Sequence, residues 1–351
     1  MTIFDLLQLV VDQQASDLHV LVGSRPTIRI NGKLINVDNS PMLTDRDARM
    51  LIDPLMNDEQ KKLYEVNKEI DFSYQFKDLG RFRVNAYTQK GSAAAALRLI
   101  PKVIKNIDEL QLPQVYHEVC KLKQGLILIT GPTGEGKSTS LAAIIQEINH
   151  TRSEHIVTVE DPIEFTYTPE KSLISQREVH NDTHGWDVAL RSVLREDPDV
   201  VLIGEMRDYE TIAAALTTAE TGHLVLATLH TNSASQTIDR IIDVFPEHQQ
   251  GQVRQQLASS LEAVFSQRLI PSKDGNLICA VEVLLVNPAI RNLIREGKAY
   301  QIDNVMQTSG EMGMTTMESS LARWVSTGVI SKDVAREHAT RPAEFDRLVR
   351  D

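Results

Sequence analysis

The residues Gly131-Pro132-Thr133-Gly134-Glu135-Gly136-Lys137-Ser138 combine three features that together hold a polyphosphate. Glycines let a short backbone curl until successive N–H groups point inward, a lysine supplies a point charge, and a serine hydroxyl offers a hard oxygen to Mg2+. The setting gives the pattern its weight. The apolar run Gly125 to Thr130 reads as a strand before it, and Thr139 to Ile148 reads as a helix after it, whose N-terminus adds partial positive charge against phosphates. Gly131 to Thr139 are therefore the candidate nucleotide cradle, with Lys137 on the β- and γ-phosphates and Ser138 on the metal. A glycine-rich turn that binds nothing is the plainer reading, and the strand-then-helix setting disfavours it.

Cleaving a nucleoside triphosphate needs two further groups, one to hold the metal and its water shell and one to orient or deprotonate the attacking water. In α/β sheets such groups stand at the carboxyl ends of strands. Glu205 follows the apolar run Val200 to Ile203, within Ile203-Gly204-Glu205-Met206-Arg207-Asp208. Gly204 stands where many P-loop enzymes place a metal-ordering aspartate, which leaves Glu205 to serve the metal alone or with help. Glu160, Asp161 and Glu164 follow another apolar run, in Val159-Glu160-Asp161-Pro162-Ile163-Glu164-Phe165. Singly, such carboxylates are usually solvated caps; as a set beside a phosphate loop they point to catalysis. His223 and His230 bracket a strand, at opposite ends and on opposite faces, so they do not form a chelating pair. A lone histidine is more often a hydrogen-bonded core residue, and phosphate sensing by His230 is the sharper reading beside that one.

The elements that position these groups belong to a chain of 351 residues, long enough that two domains are the default. Apolar residues make up 42% and charged residues 24%, near globular averages. A formal net charge of -11 repels nucleic acid and anionic lipid, so direct nucleic-acid binding is not expected. Cys120 and Cys279 form no Cys-x-x-Cys pair and read as ordinary buried thiols rather than a zinc or redox site. Met1 to Leu7 lack the basic start of a signal peptide, and no apolar run approaches the roughly 18 residues needed to span a bilayer. A cytoplasmic protein without membrane insertion is the expectation.

Residues 2–14 carry apolar side chains at helical spacing, and Asp17 to Val22 and Thr27 to Val37 alternate as half-buried strands do. Thr44 to Met56 and Asp58 to Val66 read as helices. Ile70 to Phe76, Arg81 to Thr88 and Ala93 to Ile100 read as an antiparallel meander, with turns at Asp78-Leu79-Gly80 and Lys90-Gly91. Residues 1–100 thus make a small α+β domain, and 101–113, bounded by Pro101 and Pro113, a connecting segment. From 114 to 286 short apolar runs alternate with helical stretches, the signature of parallel strands covered on both faces and hence of a doubly wound α/β nucleotide-binding core. Residues 287–351 read as mainly helical.

The ordered set Gly131 to Thr139, His155 to Phe165, Leu194 to Asp208 and Gly222 to Asn232 resembles the Walker A, Asp box, Walker B and His box of the secretion-type traffic ATPases. Within them the chain is most similar to the retraction ATPases of type IV pili, the PilT and PilU group. Ala15-Ser16-Asp17-Leu18-His19, Gly80-Arg81-Phe82-Arg83-Val84-Asn85 and Ala289-Ile290-Arg291-Asn292-Leu293-Ile294-Arg295-Glu296 extend the likeness over almost the entire chain. The resemblance implies a PAS-like N-terminal domain, a RecA-like ATPase domain and a homohexamer with ATP and Mg2+ between subunits. It implies that Glu164 activates water, that Glu205 helps hold Mg2+, and that Arg83 and Arg98 approach the nucleotide from the N-terminal domain. It further implies an inner-membrane pilus platform protein as partner, with the ring peripheral at that membrane.

Extension and type II secretion motors of the same superfamily usually carry a tetracysteine zinc insertion, which two cysteines cannot form. An accessory retraction ATPase, a DNA-translocating ring and a nucleotide-binding ring without hydrolysis are the remaining alternatives. The P-loop departs from its family at Glu135, where a small serine is common. Its side chain is expected to point to solvent. On that reading Glu135→Ser leaves ATP turnover within about an order of magnitude or raises it, since it removes a carboxylate from beside phosphates; phosphate release by the purified variant checks this.

Overall fold

The computed structural model describes residues 1–30, 32–77, 79–100 and 103–349. The chain divides into two compact units, Met1–Val103 with Pro162–Thr166, and Ile104–Asp161 with Tyr167–Asp351.

The first unit runs α1 (Ile3–Asp12), β1 (Asp17–Val20), β2 (Thr27–Ile30), β3 (Lys33–Asn36), α2 (Asp45–Ile52), α3 (Asp58–Asn67), β4 (Glu69–Phe76), β5 (Gly80–Gln89) and β6 (Ser92–Ile100). Thr2 caps α1 and Thr44 caps α2, each exchanging hydrogen bonds with an aspartate three residues on. Ile3, Leu6, Leu7 and Val10 fall on one face of α1 and join Ala48, Ile52, Phe72, Phe82 and Val84 in the core. The strands pair antiparallel in the order β3-β2-β1-β6-β5-β4. The alternation over Thr27 to Val37 is a hairpin rather than one strand, with Ile30 opposite Lys33 and Gly32 at φ 78. The Asn-Gly pair at its tip was the available turn signal; Asn31 itself lies outside the described residues, as does Asp78 in the expected turn before β5. Lys90 and Gly91 both have left-handed backbone, φ 51 and 80, the two-residue turn that closes β5 on β6.

Of the expected connecting segment, Pro101 and Lys102 lie outside the described residues. Its far end is core, not tether. Asn106 and Glu109 exchange backbone-to-side-chain bonds of 2.8 Å, and Ile107 and Leu112 are buried beside Tyr116 and Val119.

The second unit runs α4 (Val115–Val119), β7 (Gly125–Thr130), α5 (Lys137–Thr151), β8 (His155–Glu160), β9 (Leu173–Glu178), α6 (Trp186–Val193), β10 (Val200–Ile203), α7 (Tyr209–Glu220), β11 (Leu224–Leu229), α8 (Ala234–Asp243), α9 (Glu247–Ser260), β12 (Leu261–Pro271) and β13 (Leu277–Leu285). α10 (Pro288–Arg295), α11 (Ile302–Thr308), α12 (Met317–Ser326), α13 (Lys332–His338) and α14 (Pro342–Leu348) complete it. The sheet order is β13-β12-β7-β11-β10-β8-β9, parallel from β12 to β9, with β13 antiparallel at the edge. β7 is apolar on both faces because both are covered. Leu126 and Leu128 pack with residues of α6 to α9, while Ile127 and Ile129 pack with Ile144 and Ile148 of α5. Met317, Leu321, Ile330 and Phe345 of the C-terminal helices close over Ile270 and Ala280 of the β12–β13 hairpin. Among the described residues no helix is long and apolar enough to cross a membrane.

One buried carboxylate joins these layers. Glu282 of β13 is 3% exposed and accepts the backbone N–H of Ala234, the first residue of α8, at 2.8 Å; it also accepts that of Met317, the first residue of α12. Burial pushes its carboxyl from 4.5 up to about 7; nearby Asp303 and Glu318 push the same way, and the two N–H donors oppose. A folded-state value above the unfolded one means that the folded protein binds this proton more tightly. The associated stability is complete below about pH 4.5 and is lost as pH rises through about 7. Between pH 5 and 8 the melting temperature of Glu282→Gln should therefore fall less with rising pH than that of the unaltered chain, as differential scanning calorimetry would record.

Candidate functional site

The phosphate loop leaves β7 beside β12. The Thr130 and Ser266 hydroxyls meet at 2.8 Å, and a Cβ on Gly131 would stand 2.6 Å from the Gln267 carbonyl oxygen. Only glycine lets the loop begin so close to a neighbouring backbone. Gly134 and Gly136 are left-handed, at φ 87 and 77, and α5 starts at Lys137, which presents its unpaired N–H groups to the loop. Ser138 and Thr139 lie half-buried in that first turn, Pro132 is half-buried, and Thr133 and Gly134 are exposed at the loop's crown.

Lys137 is buried and donates to the carbonyl oxygens of Gly131 and Pro132 at 2.7 and 2.8 Å, which sets its charge inside the curl. His230, just past β11, stands against it. Its Nδ1 is 3.4 Å from Lys137 Nζ and 3.5 Å from Thr133 Oγ1, and its Nε2 is 3.0 Å from Glu205 Oε1. An ammonium requires a lone pair opposite it and a carboxylate requires an N–H, so these neighbours fit a neutral ring with its proton on Nε2. The second oxygen of Glu205 takes Arg207 Nη2 at 2.7 Å, and this hydrogen bond is the main reason that the Arg207 guanidinium holds its proton above the ordinary range. Thr133, Lys137, His230, Glu205 and Arg207 thus form one connected line. His223 sits at the other end of β11, bonded to the Thr218 carbonyl at 3.0 Å.

Two residues that sequence reasoning left without a role fix Glu205. Thr228 donates to the Gly204 carbonyl at 2.5 Å, and Arg207 closes on the carboxylate itself. Arg207 was visible three residues from Gly204 in the motif; Thr228 carried no signal, because only the sheet sets it opposite. Gly204 N donates to the Val159 carbonyl at 2.8 Å, and a Cβ there would lie 3.3 Å from both Glu160 Cα and that carbonyl oxygen. A side chain at Gly204 would therefore press on β8, which would have to shift by a few tenths of an ångström.

Glu135 departs from expectation. It does not point to solvent: its carboxylate accepts the backbone N–H of Leu269 on β12. Glu160 is buried, taking Thr158 Oγ1 at 2.7 Å and Gln176 Nε2 at 3.4 Å, which is a sheet-end role. Glu164 belongs to the segment that clusters with the first unit, where Arg83 Nη1 stands 3.8 Å away. Arg83 also pairs with Asp71 at 2.5 Å, and Arg98 pairs with Asp17 at 3.0 Å.

Whether Mg2+ suits this site turns on its donors. Among the described residues no cluster of three or more His, Cys, Asp or Glu side chains would cage a metal. Mg2+ takes one or two protein oxygens and completes its shell with water and phosphate, so the Ser138 hydroxyl and the Glu205 carboxylate fit it.

A mainly parallel sheet with the phosphate loop after an interior strand, an acidic strand end beside it and a histidine spanning the two defines a RecA-like P-loop ATPase fold. Residues 2–277 match the family described as type II/IV secretion system protein, and the chain belongs to that family. It is 48% identical over 345 residues to the type IV pilus retractation ATPase PilT of Pseudomonas aeruginosa, covering 98% of this chain and 100% of that one. It is 46% identical over 339 residues to a twitching motility protein of Neisseria gonorrhoeae, covering 96% and 90%. The crystal structure of a pilus retraction motor PilT with bound ADP superposes with a TM-score of 0.92 at 44% identity over 99% of both chains. The resemblance drawn from the motifs is to the same group.

The packing at Gly204 carries a testable consequence. Gly204→Asp, which restores the aspartate of other P-loop enzymes, should destabilise the protein by about 1–3 kcal/mol because β8 must yield; a lowered urea midpoint at unchanged slope would record it.

Proposed function

We propose that this chain is an ATPase that drives type IV pilus retraction as a homohexameric ring, hydrolysing ATP with Mg2+. The observation that carries this reading is the connected line from Thr133 and Lys137 through His230 to Glu205, in a chain similar from end to end to retraction motors. Lys137 neutralises the β- and γ-phosphates, and the loop N–H groups with the α5 N-terminus bind their oxygens. Ser138 and Glu205 would hold Mg2+, which would supply Lewis-acid stabilisation of the phosphate charge. Glu164 orients and deprotonates the attacking water, a role of roughly 100- to 10,000-fold in rate. His230 reports the occupancy of the loop to Glu205, because any group that draws Lys137 toward phosphate removes the ammonium from Nδ1.

Arg83 and Arg98 reach the nucleotide of a neighbouring subunit by exchanging Asp71 and Asp17 for phosphate, and this exchange couples hydrolysis to movement of the N-terminal domain. The ring acts in the cytoplasm, peripheral at the inner membrane, on the pilus platform protein. Residues 1–100 serve as its N-terminal domain and 114–286 as its ATPase domain, whose core also takes in Ile107 and Leu112 from the segment between them, with 287–351 as the helical C-terminal region.

Phosphate release should be Mg-dependent and should fall roughly 100-fold or more in Lys137→Ala, Glu164→Ala and Glu205→Ala. Equal background rates in all four proteins would point instead to a ring without hydrolysis. Deleting the gene should leave cells with excess surface pili and no twitching; bald cells would indicate an extension motor, and unchanged twitching an accessory one.

A further inference from the structure

Glu135, in the middle of the phosphate loop, is tied to the sheet. β12 pairs with β7 only as far as Ser266 opposite Thr130, yet it runs on to Pro271. Past that point, the edge that faced β7 turns to the phosphate loop. Gln267 meets the loop through its carbonyl oxygen, which a Cβ on Gly131 would approach to 2.6 Å. Two residues on, on the same edge, the Leu269 N–H donates to the Glu135 carboxylate. The Leu269 side chain also lies under the loop, 3.6 Å from where a Gly136 Cβ would stand. Glu135 sits between two left-handed glycines, Gly134 and Gly136, so the stretch it occupies has little conformational preference of its own. The carboxylate faces the hairpin: after burial, its charge is what holds the Cys279 thiol up at about 12, and Cys279 is the β13 partner of Leu269.

We infer that Glu135 is a positioning residue, whose carboxylate fastens the middle of the phosphate loop to the β12 backbone at Leu269 and holds the loop in its nucleotide-receiving shape. This rests on the nucleotide site proposed above. The bond turns a group that would repel phosphates into an acceptor aimed away from them. It also links the loop to the C-terminal helices, because Ile270, the next residue of β12, is buried among Met317, Leu321, Ile330 and Phe345. A shift of the loop on nucleotide exchange therefore pulls on the strand under that helical layer.

Two measurements on the full chain test this, with Glu135→Gln and Glu135→Ser. Glutamine keeps an acceptor oxygen and loses the charge; serine loses both reach and charge. Amide hydrogen exchange at Leu269, read without nucleotide, should stay slow in Glu135→Gln and become fast in Glu135→Ser. Titration with a fluorescent ADP analogue should give unaltered affinity for Glu135→Gln and about three- to tenfold weaker binding for Glu135→Ser, with the KM for ATP rising by a similar factor while kcat holds. Unchanged Leu269 exchange in Glu135→Ser overturns the tether. Equal tightening of ADP in both variants also overturns it, because the carboxylate then acts by charge alone. If neither the unaltered chain nor Lys137→Ala binds the analogue while Leu269 exchange still responds, the tether stands and the nucleotide-site reading fails, and with it the purpose assigned to the tether.

Discussion

A phosphate loop is a strip of backbone that must keep its N–H groups pointed at an absent ligand, and in this protein the support comes from a strand that outruns its neighbour. β12 continues past the last residue that pairs with β7, and its free edge becomes the floor on which the loop lies. Gly131 is glycine because Gln267 is beneath it; Glu135 has an acceptor's role because Leu269 presents an N–H. A backbone N–H left over at the end of a parallel ladder needs a partner, and for Leu269 the Glu135 carboxylate supplies it. The cradle is thus preformed by sheet geometry, with little left to be ordered when an anion arrives.

The charges are arranged on the same economy. Lys137 is held by loop carbonyls and faces the lone pair of His230, while the other ring nitrogen of that histidine reaches Glu205. The imidazole stands between the Lys137 amine and the Glu205 carboxylate and keeps the two in reach without a direct pair. The arginines of the first unit are held differently. Arg98 is 72% exposed beside Asp17, which is only 12% exposed, and Arg83 is 39% exposed beside Asp71, which is 33% exposed.

Behind the site, Glu282 shows how a RecA-like sheet receives extra helices. Its carboxylate takes the first N–H of α8, which follows His230, and the first N–H of α12 in the C-terminal region. Two helix N-termini leave N–H groups that need acceptors, and one buried oxygen pair serves both. Arg291 does similar work from α10, donating to the carbonyls of Ala258 and Ser259 that end α9 and to Glu262 at the start of β12. The helix singled out by the resemblance is therefore bound, through its arginine, to the strand that floors the phosphate loop.

Much of this was legible in the sequence, and the division follows range. The glycine-rich loop, the runs that became β7, β8, β10 and β11, and the helix start at Lys137 are local: glycine spacing, apolar period and a helix start are written in consecutive residues, and similarity over the whole chain made the family readable as well. The Thr27 to Val37 alternation misled because a two-residue turn preserves the period of two across a hairpin. The expected connecting segment misled because prolines mark a break in hydrogen bonding but do not reveal that Ile107 and Leu112 are buried. Where Glu135 points, how tightly Gly204 packs against β8, and what Thr228 holds depend on residues from about 25 to 135 positions away. Those contacts are set by strand order and register. The sequence alone therefore determined the residue types of the loop and of the strand ends, and only the tertiary structure decided which neighbours aim them.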